Sequence, residues 1–418
     1  MAGKNDNFDA LMAMMALKHI MDDTKDIEIH PFTCEVVVTP TSISCSSSGN
    51  KAFLEDIDGG MEWAEETNNL IKDIMSEQTI TGLMKNICTM KNALNAYQKA
   101  RRCKRYRPEV LEFEANREEY LGKAIRELES LTYTPGKYKV FKVWEPKERI
   151  IMALPFYDRV IQHMIVNYIE PIFEHQFIYH SYACRKGKGA HRASKQLTRW
   201  LYNLEVVQGK SVYVLKADIH HYFQSIDHKV LKREIRTYIK DKDLLVILDR
   251  IIDHNGIFPD GVGIPVGNLT SQLFANVYLH RLDMFVKHTL HAEHYMRYMD
   301  DFVIISEDLE QLKRWEKQIE IFLADVLKLQ LNPKTTIVYA KNGVDFVGYR
   351  HWNSTKKIRK DAMRRLKRLM KNFKDGTITE EFFDKSFTSR IGSIKHADTY
   401  NLVQKITCEA KELKESHA

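Results

Sequence analysis

The spacing of hydrophobic residues changes along the chain and predicts both helices and strands. Between residues 61 and 131, apolar side chains recur every three or four positions among charged ones, the spacing of amphipathic helices. Further helices are predicted at 156–175, 193–204, 229–240, 244–255, 270–290 and 309–329. Runs of β-branched and aromatic residues predict strands at 34–38, 212–219, 294–298, 302–306 and within 338–349, and another that begins at 138. Strands separated by helices, with one tight hairpin among them, predict an α+β fold in which helices back a small antiparallel sheet.

The first 60 residues follow neither pattern clearly. A Met-rich stretch at 1–21 predicts an amphipathic helix rather than a signal peptide, because Asp9 precedes its apolar part and no small-residue cleavage site follows. The stretch 39–49 is rich in Ser and Thr, a composition typical of linkers. We therefore expect residues 1–60 to form a partly disordered N-terminal extension.

Cysteine usage and the lack of long apolar runs indicate the cellular compartment of the protein. The six cysteines form no C-x-x-C pair, so a zinc site is not expected, and their scatter is typical of free thiols in a reducing environment. No run approaches the ~18 apolar residues that a membrane span needs. These features predict a cytoplasmic protein that has no membrane partner.

Positive charge is concentrated in two places. The chain has 63 Lys and Arg against 56 Asp and Glu, a net charge of +7. Ten of the basic residues fall within 356–374 beside a single Asp, and six more fall within 99–107. Clusters of this density favour contact with a phosphate backbone, although a solvated helix face would look the same in the sequence.

Three aspartates stand at the ends of predicted strands. Asp300 and Asp301 are adjacent between two hydrophobic runs, so a hairpin tip would present both carboxylates to one cation. Asp218 follows another hydrophobic strand. Divalent ions need hard oxygen ligands, and a pair of ions ~3.5–4 Å apart can activate a hydroxyl nucleophile and stabilise a leaving oxygen. Without metal these like charges repel, so we expect strain or protonation.

Other interpretations of these acids stay open. An isolated Asp-Asp pair is more often a simple turn, but the aromatic flanks and the distant Asp218 favour metal binding. Asp227 is expected to cap the helix that follows it, and Asp283 to be a charge on a helix surface.

Six motifs, in order along the chain, resemble those of reverse transcriptases. Tyr-Met-Asp-Asp at 298–301 is similar to the catalytic box of that family, and ADIHHYFQSIDH at 217–228 resembles its first palm motif. The other similar segments are 147–162, 181–189, 331–335 and 346–349. The resemblance covers about residues 80–350. It implies a right-hand polymerase with fingers at 61–205, a palm at 206–350 and a basic helical thumb at 351–418.

The fourth palm box narrows the resemblance. Most relatives carry Gln before its Gly and Ser-Pro after it, whereas this chain has Val266-Gly267 and then Ser271-Gln272. Together with 95–102, 109–114 and 133–136, these departures look like the reverse transcriptases of diversity-generating retroelements. Residues 1–60 do not share the resemblance.

The resemblance implies roles for residues around a nucleotide. Asp218, Asp300 and Asp301 would bind two Mg²⁺ ions, with Mn²⁺ as an alternative, and Ile219 would add a backbone carbonyl. The ring of Phe223 would clash with a ribose 2′ hydroxyl and so favour deoxynucleotides. The other nucleotide-binding residues are expected to be Lys147, Arg149, Arg185, Val266, Gly267, Gln272 and Lys334. Because Val266 lacks an amide, we expect weak rejection of mispairs opposite template adenine. A core aromatic, an apolar loop residue or surface cations are the open alternatives at these positions.

Contacts to nucleic acid are implied for two later segments, a primer-grip hairpin at 346–349 and a thumb helix at 356–374. The expected residues are Tyr298, Gly348, Tyr349, Lys356, Lys357, Arg364, Arg365, Lys367 and Arg368. The apolar residues of the thumb helix would pack on neighbouring helices: Met363, Leu366, Leu369 and Met370. The implied partners are template RNA, the RNA/DNA hybrid, dNTPs and a small basic accessory protein.

The expected function is RNA-directed DNA polymerisation, copying a template RNA into cDNA with errors at adenines for retroelement mutagenic homing. Two alternatives stay open. One is a reverse transcriptase of the antiphage-defence or intron-related type, and the other is a non-catalytic RNA-binding scaffold. The intact set of three aspartates argues against the scaffold.

Overall fold

The computed structural model describes residues 82–144 and 148–415, together with two short strands closer to the start. The chain divides into two compact units, Met1–Thr67 and Asn68–Ala418. In the first unit, β1 (Glu35–Thr39) pairs with β2 (Ser42–Ser46) in an antiparallel hairpin. The strand expected at 34–38 is confirmed within one residue. The linker expected at 39–49 was wrong over β2, because five of its residues pair with β1. The helix expected at 1–21 lies outside the described residues.

Helices begin the described part of the second unit. They are α1 (Leu83–Ile87), α2 (Met90–Ala100), α3 (Pro108–Ala115) and α4 (Arg117–Glu129). Thr89 caps the start of α2, because its side chain accepts from the Asn92 amide at 3.3 Å. Asp241, which precedes a later helix, accepts from the Met84 amide of α1 at 3.1 Å and so ties the two helices together. The helical pattern predicted between 61 and 131 is therefore confirmed where the structure describes it.

A hairpin and two helices follow. The hairpin joins β3 (Lys139–Val143) to β4 (Arg149–Ala153), and α5 (Phe156–Gln176) runs beneath α2. Next come α6 (Ala190–Tyr202) and a π-helical turn at Asn203–Val207. Both α5 and α6 were predicted within a few residues of their bounds.

A four-stranded antiparallel sheet forms the centre of this unit, in the order β6–β7–β5–β8. The strands are β5 (Tyr213–Ala217), β6 (His294–Tyr298), β7 (Asp301–Ser306) and β8 (Thr336–Tyr339). Alternate residues face opposite cores: Leu215 and Phe302 belong to the large core, and Val214 and Val303 to the smaller one that α6 covers. A sheet that is buried on both faces leaves the strand ends as the place where polar residues can meet solvent.

Helices cover this sheet and set its connections. They are α7 (Tyr222–Ser225), α8 (His228–Tyr238), α9 (Lys242–Asp253), α10 (Leu269–Met284, followed by a π turn at Phe285–Thr289) and α11 (Leu309–Leu327). Asp227 caps α8 as predicted, since its carboxylate accepts from the Val230 amide at 2.9 Å. Helices that back a small antiparallel sheet confirm the expected α+β fold.

The last part of the chain is a three-stranded sheet and three helices. The sheet pairs β9 (Val344–Phe346), β10 (Tyr349–His351) and β11 (Lys356–Ile358). The helices are α12 (Lys360–Lys374), α13 (Glu380–Ile394) and α14 (Tyr400–Glu415), with Leu366 and Leu369 in their shared core as expected. The helix predicted from residue 356 was wrong at its start, because Lys356–Ile358 pairs with β10.

Two expectations about the whole chain can be checked on the described residues. No helix there is long and apolar enough to cross a membrane. Four cysteines are free thiols, as predicted: Cys88, Cys103, Cys184 and Cys408. The boundaries predicted at 205 and 350 stay predictions.

Candidate active site

Strand register brings the three predicted aspartates to one end of the central sheet. Ala217 pairs with Phe302 at the end of the β5–β7 ladder, so Asp218 and Asp301 stand next to each other one residue further on. Residues paired in this way have Cα atoms ~4.5–5.5 Å apart. Tyr298 pairs with Asp301 across the β6–β7 hairpin, which leaves Met299 and Asp300 as its two-residue turn.

Burial and mutual repulsion make these carboxylates unusually hard to ionise. The pKa of Asp300 is raised to about 6, first by burial and then by the charge of Asp218. The pKa of Asp301 is raised to about 7 by burial, with added repulsion from Asp218 and Asp300, although Lys216 acts in the opposite direction. The prediction that the metal-free site resists ionisation is consistent with these shifts.

One carboxylate oxygen of the three aspartates has no hydrogen-bond partner. Oδ1 of Asp301 is buried and has no hydrogen-bond partner. An unpaired buried carboxylate oxygen is costly, and a divalent cation with its preference for oxygen ligands would satisfy it. Asp218 is held differently, because Asn332 donates its amide Nδ2 to Oδ2 of Asp218 at 3.1 Å and its backbone N–H to the Asp218 carbonyl at 2.7 Å.

These residues do not form a closed metal cage. In the part of the chain that the structure describes, no three or more His, Cys, Asp or Glu side chains are already gathered around one point as metal ligands. Mg²⁺ usually takes one or two protein carboxylates and completes its shell with water and substrate phosphate. The neighbouring carboxylates of Asp218 and Asp301 are the residues here that could hold such an ion. Ile219 is buried beside this site, and the role of its carbonyl stays a prediction.

A buried ion pair supports the turn that carries Asp300. Arg297 and Asp283 are both fully buried, and Nη2 of Arg297 lies 2.5 Å from Oδ2 of Asp283. Nη1 of Arg297 also donates to the Met299 carbonyl at 3.0 Å, inside the turn, where Met299 has a φ of +60°. The prediction that Asp283 is a surface charge was wrong, because its partner on β6 takes it into the core.

The comparison with known proteins decides the family. Residues 142–351, half of the chain, match the family described as reverse transcriptase (RNA-dependent DNA polymerase). The chain belongs to the reverse transcriptase family. Members of this family generally use divalent metals such as Mg²⁺.

Two curated relatives show the extent of the similarity. This reverse transcriptase is 26% identical to protein YkfC of Escherichia coli K12, over 46% of this chain and 60% of YkfC. It is 24% identical to the group II intron-encoded protein LtrA of Lactococcus lactis subsp. cremoris, over 56% of this chain and 49% of LtrA. The chain thus spans about half to three-fifths of the length of these relatives.

Solved telomerase structures also show some likeness. The telomerase of Candida albicans, in complex with a fragment of telomeric RNA, has a TM-score of 0.43 and 12% identity over 71% of this chain and 58% of that one. An apo telomerase of Candida tropicalis has a TM-score of 0.39 and 14% identity, over 54% of this chain and 55% of that one.

Strand β4 of this reverse transcriptase carries a cation, Arg149, whose charge acts on the aspartates. Arg149 is exposed, and its positive charge favours ionised Asp300, opposing the effect of burial on the pKa of that group. A triphosphate between Arg149 and a cation at the carboxylates would be held from both sides. The predicted partner Lys147 lies outside the described residues.

The loop before α10 docks onto the same strand. The amide of Met152 in β4 donates to the Val266 carbonyl at 3.0 Å. Gly267 has a φ of +125°, and a side chain there would meet the Met152 carbonyl at 3.0 Å. The predicted residues Val266 and Gly267 are thus joined to the strand that carries Arg149.

Other predicted nucleotide contacts are placed less directly. Phe223 is half-buried against the large core, and its carbonyl accepts from the Ile264 amide at 2.8 Å, which ties it to the Val266 loop. Gln272 and Lys334 are exposed. The Lys334 amide donates to Oδ1 of Asn332 at 3.0 Å, and Asn332 in turn holds Asp218. Their nucleotide contacts stay predictions.

Arg185 has a structural role that the sequence did not indicate. Its side chain is 6% exposed and forms an ion pair with Glu174, 2.7 Å from Nη2 to Oε1. Its Nη1 donates to the carbonyls of Ile178 and Ser181 at 2.6 and 2.8 Å. Its Nε also donates to Glu174 at 2.9 Å, so four of its five N–H donors are engaged and Arg185 fixes its own loop. Its contact with a triphosphate stays a prediction.

The predicted primer-grip hairpin is present, but its tyrosine faces inward. Val347 and Gly348 form the turn between β9 and β10, and Gly348 lies open to its surroundings. Tyr349 is 3% exposed and donates to the Ser393 carbonyl at 2.8 Å. Gly348 therefore lies at the surface of this hairpin and Tyr349 beneath it, and the contact of Tyr349 with nucleic acid stays a prediction.

The remaining predicted nucleic-acid contacts divide into two groups. Lys356 lies over the Tyr349 ring, 5.6 Å from its centre, and reaches Ser194, so it packs inward, while Lys357 is exposed beside Trp352. On α12, Arg364, Lys367 and Arg368 are exposed, and Arg365 is half-buried. Tyr298 is half-buried against the smaller core.

Three residues that matter to this site were missed as site residues in the sequence: Asn332, Arg297 and Lys216. Arg297 could have been noticed, because a cation inside a hydrophobic strand must find a buried partner. Asn332 lies within a motif that was recognised, but only the fold shows that it holds Asp218.

Proposed function

We propose that this chain is an RNA-directed DNA polymerase that extends a DNA primer along a template RNA. The observation that supports this most is the convergence of Asp218 with the Asp300–Asp301 turn, where a buried oxygen is left without a partner. An acidic site of this kind, with the positive charge of Arg149 on β4 acting on Asp300, matches the needs of nucleotidyl transfer.

The reaction joins the primer 3′ oxygen to the α-phosphorus of a dNTP. The bond from that phosphorus to the bridging oxygen of pyrophosphate breaks, and the hydroxyl proton is lost to solvent. Two Mg²⁺ ions held by Asp218, Asp300 and Asp301 would supply a more acidic hydroxyl and neutralise charge on the leaving pyrophosphate. Arg149 binds the triphosphate.

The residues that surround the nucleotide set its orientation and selection. Phe223 limits space beneath the sugar and favours deoxynucleotides. The Val266 loop is hydrogen-bonded to β4, and in this proposal the Val266 side chain meets the nascent pair. The exposed cations of α12 follow the phosphates of the RNA/DNA hybrid, with Gly348 close to the primer.

The direct test is primer extension on poly(rA)/oligo(dT) with Mg²⁺. The wild-type chain should extend the primer, and Asp300→Asn should abolish extension by removing one charged metal ligand, while its affinity for RNA stays unchanged. An Asp300→Asn variant that extends at the wild-type rate, or a wild-type chain that binds RNA but never extends, would contradict the proposal. The second outcome would favour the non-catalytic RNA-binding scaffold.

We also propose the diversity-generating retroelement as the setting, with mutagenic copying at template adenines. Val266 is short, β-branched and without a hydrogen bond to offer, so it discriminates mispairs weakly. Val266→Gln should lower misincorporation opposite adenine, measured by sequencing cDNA made on one defined RNA. Val266→Ile is the matched control, since it keeps an apolar β-branched side chain. An error spectrum that is the same in Val266→Gln and wild type would count against the idea.

The second candidate setting is an intron-related or antiphage-defence reverse transcriptase. It is favoured by the similarity to LtrA, which is named as a group II intron-encoded protein. The two settings differ in the neighbouring DNA: near-duplicate repeats that differ mainly at adenines would belong to the retroelement. In that setting a template RNA and a small basic accessory protein are the expected partners.

A further inference from the structure

The loop that carries Val266 ends in a residue whose side chain is used in an unusual way. Asn268 stands at the N-cap of α10, where an Asn side chain ordinarily accepts a hydrogen bond from the first amides of the helix. Here it forms no such cap. Its Nδ2 instead donates to the Tyr138 hydroxyl at 2.9 Å, across 130 residues of chain. The Asn268 side chain therefore joins this loop to another element rather than stabilising its own helix.

One of the first amides of α10 finds its partner in α5 instead. The Leu269 amide donates to Oε1 of Gln162 at 3.1 Å. Gln162 is 1% exposed, so this hydrogen bond is shielded from water. The start of α10 thus has a partner that does not depend on Asn268, and the bond from Asn268 to Tyr138 acts mainly on the loop.

The Tyr138 hydroxyl both accepts and donates. It accepts from Asn268 and donates to the His254 carbonyl, at the end of α9, at 3.0 Å. Its ring stacks on the His254 imidazole with 4.7 Å between the ring centres, and Nε2 of His254 donates to the Gly136 carbonyl at 2.9 Å. Burial raises the pKa of Tyr138 to about 12, so the hydroxyl keeps its proton at neutral pH. Tyr138 is therefore fixed in place where it meets Asn268.

The Tyr138 ring also packs closely beside the strand that carries the other contact to this loop. Gly256 has a φ of +72°, and a side chain there would meet Sδ of Met152 at 2.5 Å and the Tyr138 ring at 3.2 Å. The Met152 amide is the donor to the Val266 carbonyl. Tyr138 and Met152 thus lie against the same glycine, and they hold the loop at points on either side of Gly267.

We propose that Tyr138 is a positioning residue for nucleotide selection, which acts through Asn268 to fix how closely Val266 meets the nascent base pair. This inference rests on the proposed function, because only a polymerase presents a base pair to that loop. The Val266 side chain offers shape and no hydrogen bond, so its discrimination depends on where its backbone is held. Tyr138 supplies that constraint without touching the nucleotide.

The test is steady-state insertion of the correct and of a mismatched dNTP opposite one base of a defined RNA template. Tyr138→Phe keeps the ring and its stacking on His254 but removes both hydrogen bonds of the hydroxyl. It should lower the ratio of kcat/KM for the correct over the mismatched dNTP by about three- to tenfold, the scale of one lost hydrogen bond. The loss should come from a higher KM for the correct dNTP, with kcat unchanged within about twofold.

A second variant and a matched control separate positioning from general stability. Asn268→Leu removes the donor and should lower the ratio to the same extent as Tyr138→Phe. If Tyr138 acts through Asn268, the double variant should lose no more discrimination than either single one. The control is Tyr157→Phe in α5, which removes a hydroxyl that donates to Glu127 at 2.8 Å and should leave discrimination unchanged.

Wild-type discrimination in Tyr138→Phe, or losses that simply add in the double variant, would overturn the proposal. So would a lower Tm in Tyr138→Phe with no change in the KM for either dNTP, the result expected of a purely structural hydroxyl. Should Tyr138→Phe not fold, wild-type discrimination in Asn268→Leu alone would overturn it equally. A wild-type chain that extends no primer would reject the proposed function and this inference together, whereas all the other outcomes leave the polymerase standing.

Discussion

At the scale of single residues, the candidate site depends on carboxylates held where ionisation is unfavourable. Burial and mutual repulsion raise the pKa values of Asp300 and Asp301 to about 6 and about 7. In an unfolded chain both groups would ionise near pH 4. The folded, metal-free protein therefore loses stability as the pH rises from about 4 towards 7, because the unfolded state releases these protons more easily. A bound cation reverses that penalty.

The first prediction concerns this pH dependence. In EDTA, Asp301→Asn should be more stable than the wild type near pH 7.5 by at least ~1 kcal/mol, because it removes a buried group that resists ionisation. The advantage should shrink towards pH 4, because Asp301 is protonated in the folded state there and about half protonated in the unfolded chain. Thermal unfolding between pH 4 and pH 8 measures it. Saturating Mg²⁺ should stabilise the wild type more than the variant, and parallel pH curves for the two proteins would rule out the penalty.

The second prediction concerns the buried ion pair of Arg297 and Asp283, beneath the turn formed by Met299 and Asp300. Arg297→Met should lower the free energy of unfolding by ~3–5 kcal/mol, because it leaves Asp283 buried without its partner. Arg297→Met/Asp283→Leu should recover most of that stability in urea unfolding. Neither variant should extend primers, since the Met299 carbonyl has lost its donor. A stable double variant with wild-type activity would show that the turn does not need this hydrogen bond.

The control for this pair is an exposed ion pair of similar type. Arg314 lies 3.5 Å from Asp308, and both side chains are more than half exposed. Arg314→Met should change the free energy of unfolding by less than ~1 kcal/mol, as is usual for surface pairs.

What the sequence could reveal about single residues depended on whether their partners were local. Asp218, Asp300 and Asp301 stand out because hydrophobic strands flank them. Asp283 was misjudged because the periodicity of helix α10 does not reveal its ion-pair partner, Arg297, on strand β6. Arg185 was likewise given to the nucleotide, although its partner Glu174 is part of the preceding helix.

At the scale of elements, the β3–β4 hairpin and the loop before α10 act as one piece. The Met152–Val266 hydrogen bond joins them, and the positive φ of Gly267 allows the close approach. A change in either element should therefore alter how both meet the nucleotide.

The third prediction tests that joint. Gly267→Ala should lower the free energy of unfolding by ~1–3 kcal/mol and reduce primer extension, because a methyl group would meet the Met152 carbonyl and push the loop away. Gly209→Ala is the matched control: Gly209 also has a positive φ, but nothing lies within 4 Å of the added carbon. It should cost about 1 kcal/mol of backbone strain and leave extension unchanged. Equal loss of extension in the two variants would contradict the role given to this contact.

Element prediction succeeded where periodicity was long and failed where an element was too short to show a period. The helices α5, α8, α9 and α11 repeat apolar residues for several turns, so their existence follows from the pattern. The strand β11 has three residues, two of them Lys, and its pairing with β10 cannot be read from so short a run. It was therefore merged with the basic helix that follows.

At the scale of the whole molecule, one of the two basic clusters of the chain lies on α12. The outer face of α12 presents Lys367 and Arg368 to solvent while Leu366 and Leu369 pack into the core of the last three helices. We expect this face to bind the RNA/DNA hybrid.

The fourth prediction tests this face. Lys367→Gln/Arg368→Gln should weaken binding of a blunt RNA/DNA duplex and reduce the log–log salt slope by about 1 to 2. Lys405→Gln/Lys411→Gln on α14 removes the same charge from another exposed face and should have no effect. Equal weakening by both pairs would mean that net charge alone governs the affinity.

The central claim is that three aspartates from two chain segments hold a pair of divalent ions. The most direct measurement is electron paramagnetic resonance of Mn²⁺ bound to the chain in complex with a template–primer and a non-reactive dNTP analogue. We predict two spin-coupled Mn²⁺ ions per wild-type chain, and loss of the coupled signal in Asp218→Asn and in Asp301→Asn. A single isolated ion in the wild type, or a coupled pair that persists in both variants, would contradict the account.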